Sequence, residues 1–142
     1  MPASTILRAF QAEDYDAVVS LWQQSEGVEI AEGDDRESIA RYLSRNPNLS
    51  RVAVSDGRIV GAVLCGHDGR RGLIYHLAVA ADQRGQGLGR KFVEECAEGL
   101  RSCGIKRVLI LIAKGNDPGC AFWLALGFEE ISGGVPFGCD LV

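Results

Sequence analysis

Residues 84–89, Arg84-Gly85-Gln86-Gly87-Leu88-Gly89, set three glycines between an apolar run and a segment of helical spacing. Each glycine costs a helix roughly 1 kcal/mol relative to alanine, so the cluster needs a reason. Where a strand gives way to a helix, the first amide N–H groups point forward unpaired and the dipole there is positive. Glycines let such a backbone approach a phosphate with no Cβ in the way. A tight strand-to-helix turn without a ligand would use the same residues. Two phosphate loops do not fit. A P-loop requires G-x-x-x-x-G-K-[ST], and here Arg90-Lys91 is followed by Phe92. A dinucleotide fingerprint counted from Gly85 puts its third glycine on Arg90, and Lys106 and Arg107 stand about 20 positions on, where an acidic residue belongs.

The other reactive side chains are few. The five cysteines, Cys65, Cys96, Cys103, Cys120 and Cys139, are odd in number and form no C-x-x-C. With only His67 and His76 beside them, no metal site is expected. They read as reduced and mostly buried small hydrophobes. Cys120, near a predicted helix start, is the candidate should a nucleophilic thiol be used.

Apolar periodicity supplies the elements that would position these residues. "TILRAF" (5–10) alternates as a strand. Helices are predicted over 13–25, behind an acidic first turn, and over 33–47, starting at Asp34 or Asp35 and stopping before Pro47. Residues 49–69 read as a hairpin about Asp56-Gly57, and 71–80 as a third long strand. Over 87–103, Leu88, Phe92, Cys96, Leu100 and Cys103 form a helical stripe. "IKRVLILIA" (105–113) has the character of a doubly buried strand. Residues 117–127 form a helix opened by Pro118 and stopped by Gly127. A terminal hairpin about Gly133-Gly134 closes the chain. The order β-α-α-β-β-β-α-β-α-β-β describes an α/β domain with a mixed sheet.

The 142 residues suit one domain, 1–142. Apolar residues make up 46% and charged residues 24%, a globular profile. A net charge of −4 gives no electrostatic support to nucleic-acid binding. No apolar run is long enough to span a membrane, and "MPASTILRAF" lacks a signal-peptide pattern, so a cytoplasmic protein is expected.

A third loop pattern does fit. R/Q-x-x-G-x-G/A is met by Arg84, Gly87 and Gly89, after Leu77-Ala78-Val79 and ahead of Asn116 and "AFWLALGF" (121–128). This combination resembles the GNAT superfamily of N-acetyltransferases, and the "HDGRRG…YHLAV…RGQGLGR…FW…LGF" wording looks like a branch of small bacterial members. The resemblance implies the GNAT fold, a mixed central sheet with helices on both faces, across essentially the whole chain. It implies acetyl-CoA as cosubstrate, with its pyrophosphate held by the amides of Arg84, Gly85, Gln86, Gly87, Leu88 and Gly89. The backbone of Leu77, Ala78 and Val79 would pair with the pantetheine arm where this strand and "VLILIA" splay apart. Asn116 would touch that arm, cap the following helix, or do both. Arg70, Arg71, Arg90 and Lys91 are candidates for the outer phosphate.

The implied reaction is attack of a neutral amine on a thioester. Roughly one lysine-like amine in a thousand is neutral at pH 7, so a proton must be removed. A strand N–H near Leu77 to Val79 would stabilise the oxyanion. Trp123 stands where the family often places a tyrosine acid, and indole does not titrate near neutrality. The strand before the glycines carries no carboxylate. Strand alternation sends Tyr75 and His76 to opposite faces, Tyr75 sharing that of Leu77, and one of the two would assist deprotonation. Residues 26–37 hold six carboxylates against one arginine, a rim that would attract a cationic amine of a small molecule or peptide. A solvated acidic loop would have the same composition. A non-catalytic acyl-CoA sensor is the alternative function, and the terminal hairpin could pair across a homodimer.

Overall fold

The computed structural model describes residues 4–141. Residues 1–3 of the N-terminal segment, and Val142 at the end of the expected terminal hairpin, lie outside the described residues. The elements are β1 (Thr5–Ala9), α1 (Tyr15–Gln23), α2 (Arg36–Arg45), β2 (Arg51–Ser55), β3 (Arg58–His67), β4 (Gly72–Val79), α3 (Leu88–Ser102), β5 (Val108–Ile110) and α4 (Asp117–Ala125). Single 3-10 turns precede α1 and follow β4. The sheet runs β1-β2-β3-β4-β5, antiparallel except for the parallel pair β4–β5, so it is mixed as expected.

Side chains alternate across the sheet into two cores. On one face Val18, Leu21 and Trp22 of α1 and Ile39 of α2 pack on Val52, Ala62, Leu64 and Ala78. On the other, Phe92, Val93, Cys96 and Leu100 of α3 and Trp123 of α4 pack on Ala53, Val63, Cys65 and Ile74. Local chemistry fixes the joints. Asp56 and Gly57, both at positive φ, form the β2–β3 turn. Arg8 of β1 grips Asp14 with two hydrogen bonds of 2.7 and 2.9 Å, which holds that carboxyl below the usual carboxylate range. Cys103 falls outside the α3 stripe, exposed past the helix end.

The sheet departs from regular pairing in β4. Ala62 pairs with Ala78 and Leu64 with Tyr75, so two steps on β3 face three on β4. The extra residue is a β-bulge, and His76 takes a left-handed backbone there, φ 52°. Strict alternation fails at that point. Tyr75 packs into the α1–α2 core, His76 lies edge-on to Trp22, and Leu77 packs into the α3–α4 core. Tyr75 and His76 therefore share a side, and Leu77 does not share it, contrary to the simple period-two reading.

Two expected strands are shorter or lacking. The run 105–113 contributes only Val108–Ile110 to the sheet, and Leu111 is exposed. β5 is an edge strand that pairs, among the described residues, with β4 alone, and once β4 turns away at its bulge the next residues have no ladder to join. The terminal hairpin is not formed: residues 128–141 take no regular structure.

Candidate functional site

The pairing of β4 with β5 stops at Ile74 opposite Ile110. Beyond it the two strands part, as expected, and β4 presents a free edge through Leu77 and Val79. A cavity of about 610 Å³ opens there, within the range of small-molecule sites. Its walls are Leu77 and Val79, the loop from Gln83 to the start of α3, and one face of α4 from Asn116 to Leu126.

The three glycines do different work. Gly85 and Gly87 both sit at φ 79°, a conformation that L side chains rarely adopt, and a Cβ on either would meet only open space. They bend the chain along the cavity wall, and no side chain caps the amides of the helix start that follows. Gly89 is an ordinary helical residue whose missing Cβ lets Phe122 of α4 approach; a methyl there would lie 3.2 Å from that ring. Gly87 is the N-cap of α3, and no side chain caps the helix over it. No acidic residue stands in the first turn, while Arg90 and Lys91 follow at once. An uncapped positive helix end followed by cations is a place for an anion.

Arg84 folds back on the strand, its Nε donating to the Val79 carbonyl at 3.0 Å, which fixes the loop against β4. Among the residues predicted for a cofactor, Leu77, Val79, Arg84, Gly85, Gly87, Leu88, Gly89, Arg90 and Asn116 line the cavity. Ala78 and Gln86 do not. The Ala78 methyl is buried in the opposite core, so only its backbone is on offer, and Gln86 is exposed between the two bent glycines. Arg70 and Arg71 precede β4, whose eight residues set them about 25 Å from the glycine loop, so they do not meet an anion seated there. Lys91 is exposed and off the wall.

α4 supplies the second wall. The Asn116 Oδ1 accepts the Gly119 N–H at 3.1 Å, so the helix-cap role is realised, and the residue also borders the cavity. Gly27, in the loop between α1 and α2, comes so close that a Cβ there would lie 2.9 Å from Asn116 Nδ2. The acidic loop thus reaches the cavity's rim. Trp123 is buried edge-on between Phe122 and Phe128 and touches the cavity as an apolar wall. Phe122 and Leu126 were not foreseen, although Phe122 stands three residues after Gly119 and Leu126 three after Trp123 and four after Phe122, the spacing of one helix face.

The acidic rim divides. Asp35 caps α2, and the Ser38 hydroxyl and amide hold its carboxyl below the ordinary range. Asp34 is bound to His76, and Glu26, Glu29 and Glu32 are exposed. Three cysteines, Cys103, Cys120 and Cys139, are exposed, which corrects the mostly buried expectation. Cys120 is not on the cavity wall. Cys96 is buried, and its contact with Cys65, with burial, pushes its thiol far up. Among the described residues no cluster could hold a metal ion, and no helix is long and apolar enough to cross a membrane.

Comparison with known proteins agrees with this architecture. Residues 15–128 match the family model described as the Acetyltransferase (GNAT) family. An acetyltransferase of Pectobacterium atrosepticum is 30% identical over 125 residues, covering 88% of each chain. The PaiA N-acetyltransferase of Thermoplasma acidophilum, solved in complex with coenzyme A, shares the fold at a TM-score of 0.75 and 15% identity, over 89% of this chain and 90% of that one. An aminoglycoside acetyltransferase from an uncultured soil metagenomic sample, solved in complex with sisomicin, does so at 0.75 and 19% identity, over 97% of each. The glycine-bent loop, the parted strands and these likenesses lead to one conclusion: the chain belongs to the GNAT acetyltransferase family.

Proposed function

We propose that the protein transfers the acetyl group of acetyl-CoA to a primary amine of a small molecule or peptide. The observation that carries this reading is the bare, cation-flanked start of α3, opening on a cavity whose facing wall is the unpaired edge of β4. The amides from Arg84 to Gly89 would hold the pyrophosphate, and Arg90 would meet further phosphate charge. The amide-bearing arm would run along Leu77 to Val79, giving the free strand groups the partners that buried backbone needs. Leu77, Val79, Phe122 and Leu126 supply the apolar sides of the channel.

The thioester end then lies near the bulge, where a β4 N–H can donate to the developing oxyanion. Trp123 can donate a hydrogen bond but cannot supply a proton near neutral pH. The thiolate must leave unaided or be protonated by another group, which a thiol of pKa about 8.5 permits. Glu26, Glu29 and Glu32 on the loop above would draw in a cationic acceptor. The complex of the aminoglycoside acetyltransferase with sisomicin shows that this fold can accommodate an amine-bearing ligand in that protein.

An acceptor screen with acetyl-CoA tests the reading by thiol release. Polyamine-like acceptors should turn over, and neutral or acidic amines should be poor. Equal turnover of both classes would contradict the acidic-rim recognition. Trp123 in place of a titrating side chain favours a second reading, an acyl-CoA sensor without catalysis. That reading predicts CoA binding with no thiol release for any amine.

A further inference from the structure

His76 is held at its carbonyl, its ring edge and its Nε2. Its carbonyl accepts the Trp22 Nε1–H at 3.0 Å, its ring packs edge-on against the same indole with centroids 4.9 Å apart, and its backbone is the left-handed residue of the β4 bulge. Its Nε2 lies 2.8 Å from Asp34 Oδ2. A carboxylate only accepts, so Nε2 carries the hydrogen and the neutral ring keeps its lone pair on Nδ1. Asp34 is anchored in turn: the same oxygen accepts the Ala31 N–H at 3.0 Å, and its carbonyl accepts the Tyr15 hydroxyl at 2.7 Å. Both side chains are mostly buried, 19% and 12% exposed. The pair stands on the α1–α2 side of the sheet where β4 and β5 have just parted, and it ties the acidic loop to the strand at the residue before Leu77, which faces the cavity from the other side.

We infer that His76 Nδ1 is the proton acceptor for the incoming amine and that Asp34 is its positioning residue, fixing the tautomer and supporting the charge that the ring gains. This rests on the acetyl-transfer reading above and names the group that reading leaves open. The arrangement follows the logic of a base oriented by a third group. Tyr75 is the weaker claimant, since it packs in the α1–α2 core and burial pushes its hydroxyl further from titration. Titratable and charged groups beside the pair are Tyr15 of α1, whose hydroxyl donates to the Asp34 carbonyl, Arg36 of α2, 4.8 Å over the Tyr15 ring and paired with Asp16 of α1, Asp35 next to Asp34, and Tyr75 of β4 itself.

The acceptor arrives as an ammonium ion. One proton passes to Nδ1 and on to solvent. The freed lone pair attacks the thioester carbonyl, the C–N bond forms, and the C–S bond breaks with its electron pair on sulfur. The second proton leaves nitrogen through Nδ1 for the thiolate, giving the amide and the free thiol.

The chain has two histidines, so 15N spectra of the ring nitrogens resolve His76 readily. In the wild-type protein, at the alkaline end of the pH profile where the ring is neutral, His76 should be the Nε2–H tautomer with Nδ1 bare. His76→Asn, which tolerates the left-handed backbone, should lower kcat/KM for the amine about 10²- to 10⁴-fold. It should also remove the acidic limb of the pH profile while leaving the heat of CoA binding unchanged. Asp34→Asn keeps a hydrogen bond without the charge and should fall between the two. A His76→Asn protein with the wild-type rate and profile, or an Nδ1–H tautomer in the wild type, would overturn the pair. Should the wild type bind CoA yet turn over no amine, the acetyl-transfer reading itself falls and the pair with it. An active wild type with an equally active variant removes the pair alone.

Discussion

Two helices begin at the edge of the cavity, and they begin differently. α4 starts under Asn116, whose side chain satisfies the Gly119 amide, and α2, away from the cavity, is closed in the same manner by Asp35. α3 starts on Gly87 with no side chain over its amides, and Arg90 and Lys91 stand close to an end that is already positive. A helix end left in that state is costly without a partner, since its first N–H groups and its cations want the same thing. The contrast teaches where the ligand's charge belongs: at the start that the chain leaves open, with the capped start serving as a wall.

The sharpest way to break the contrast is to make the open start resemble the capped ones. Gly87→Asp puts a carboxylate over the α3 amides, on a backbone that aspartate tolerates better than most residues. Repulsion of a diphosphate at contact distance should weaken CoA binding on the order of 100-fold. The melting temperature of the ligand-free protein should fall by a few degrees at most, because φ 79° strains any L residue and the favourable charge of a carboxylate at a helix start offsets only part of that strain. Calorimetry and a thermal melt on the same sample read the two quantities. Unchanged CoA affinity would mean that the α3 start is a turn and not a binding site.

Opening the closed start should cost stability first. Asn116→Ala removes the α4 cap, worth about 1 kcal/mol, seen as a loss of roughly 2–4 °C in Tm. Asn116→Ser restores a cap but not the amide. If CoA affinity recovers with the serine, Asn116 acts through α4; if it stays low while Tm recovers, Asn116 also touches the bound arm.

Acid gives the smallest separation. Ser38 holds Asp35 below the ordinary carboxylate range, so the folded chain binds this proton less readily than the unfolded one. The cap's contribution is complete above the unfolded value and is lost as pH falls through the depressed folded value. The Ser38 amide should lose exchange protection over that window, whereas the Gly119 amide, capped by a neutral side chain, should not. Asp14, held down by Arg8, loses its contribution in the same direction.

The glycine loop was legible because its signal is local: spacing within six residues selects the backbone. Helix starts at Asp35 and Asn116 and the Asp56-Gly57 turn were legible for the same reason. The bulge at His76 was not. Whether β4 carries an extra residue depends on how many steps β3 takes opposite it, and a period-two reading of one strand contains no such count. That single residue moves Leu77 to the face opposite Tyr75 and brings His76 to Asp34, 42 positions away in the chain. The extent of β5 was hidden likewise, since Leu111 and Ile112 look like strand residues until the neighbour they would pair with has turned away. The C-terminal segment alternates as a strand should, with Val135, Phe137 and Leu141, yet all three are exposed and join no sheet.

Titration of the wild-type protein with coenzyme A in a calorimeter asks whether the amides around Gly87 hold the diphosphate of a thioester carrier. Saturable heat at one site per chain is predicted, suppressed by Gly87→Asp. No heat at millimolar coenzyme A would contradict it.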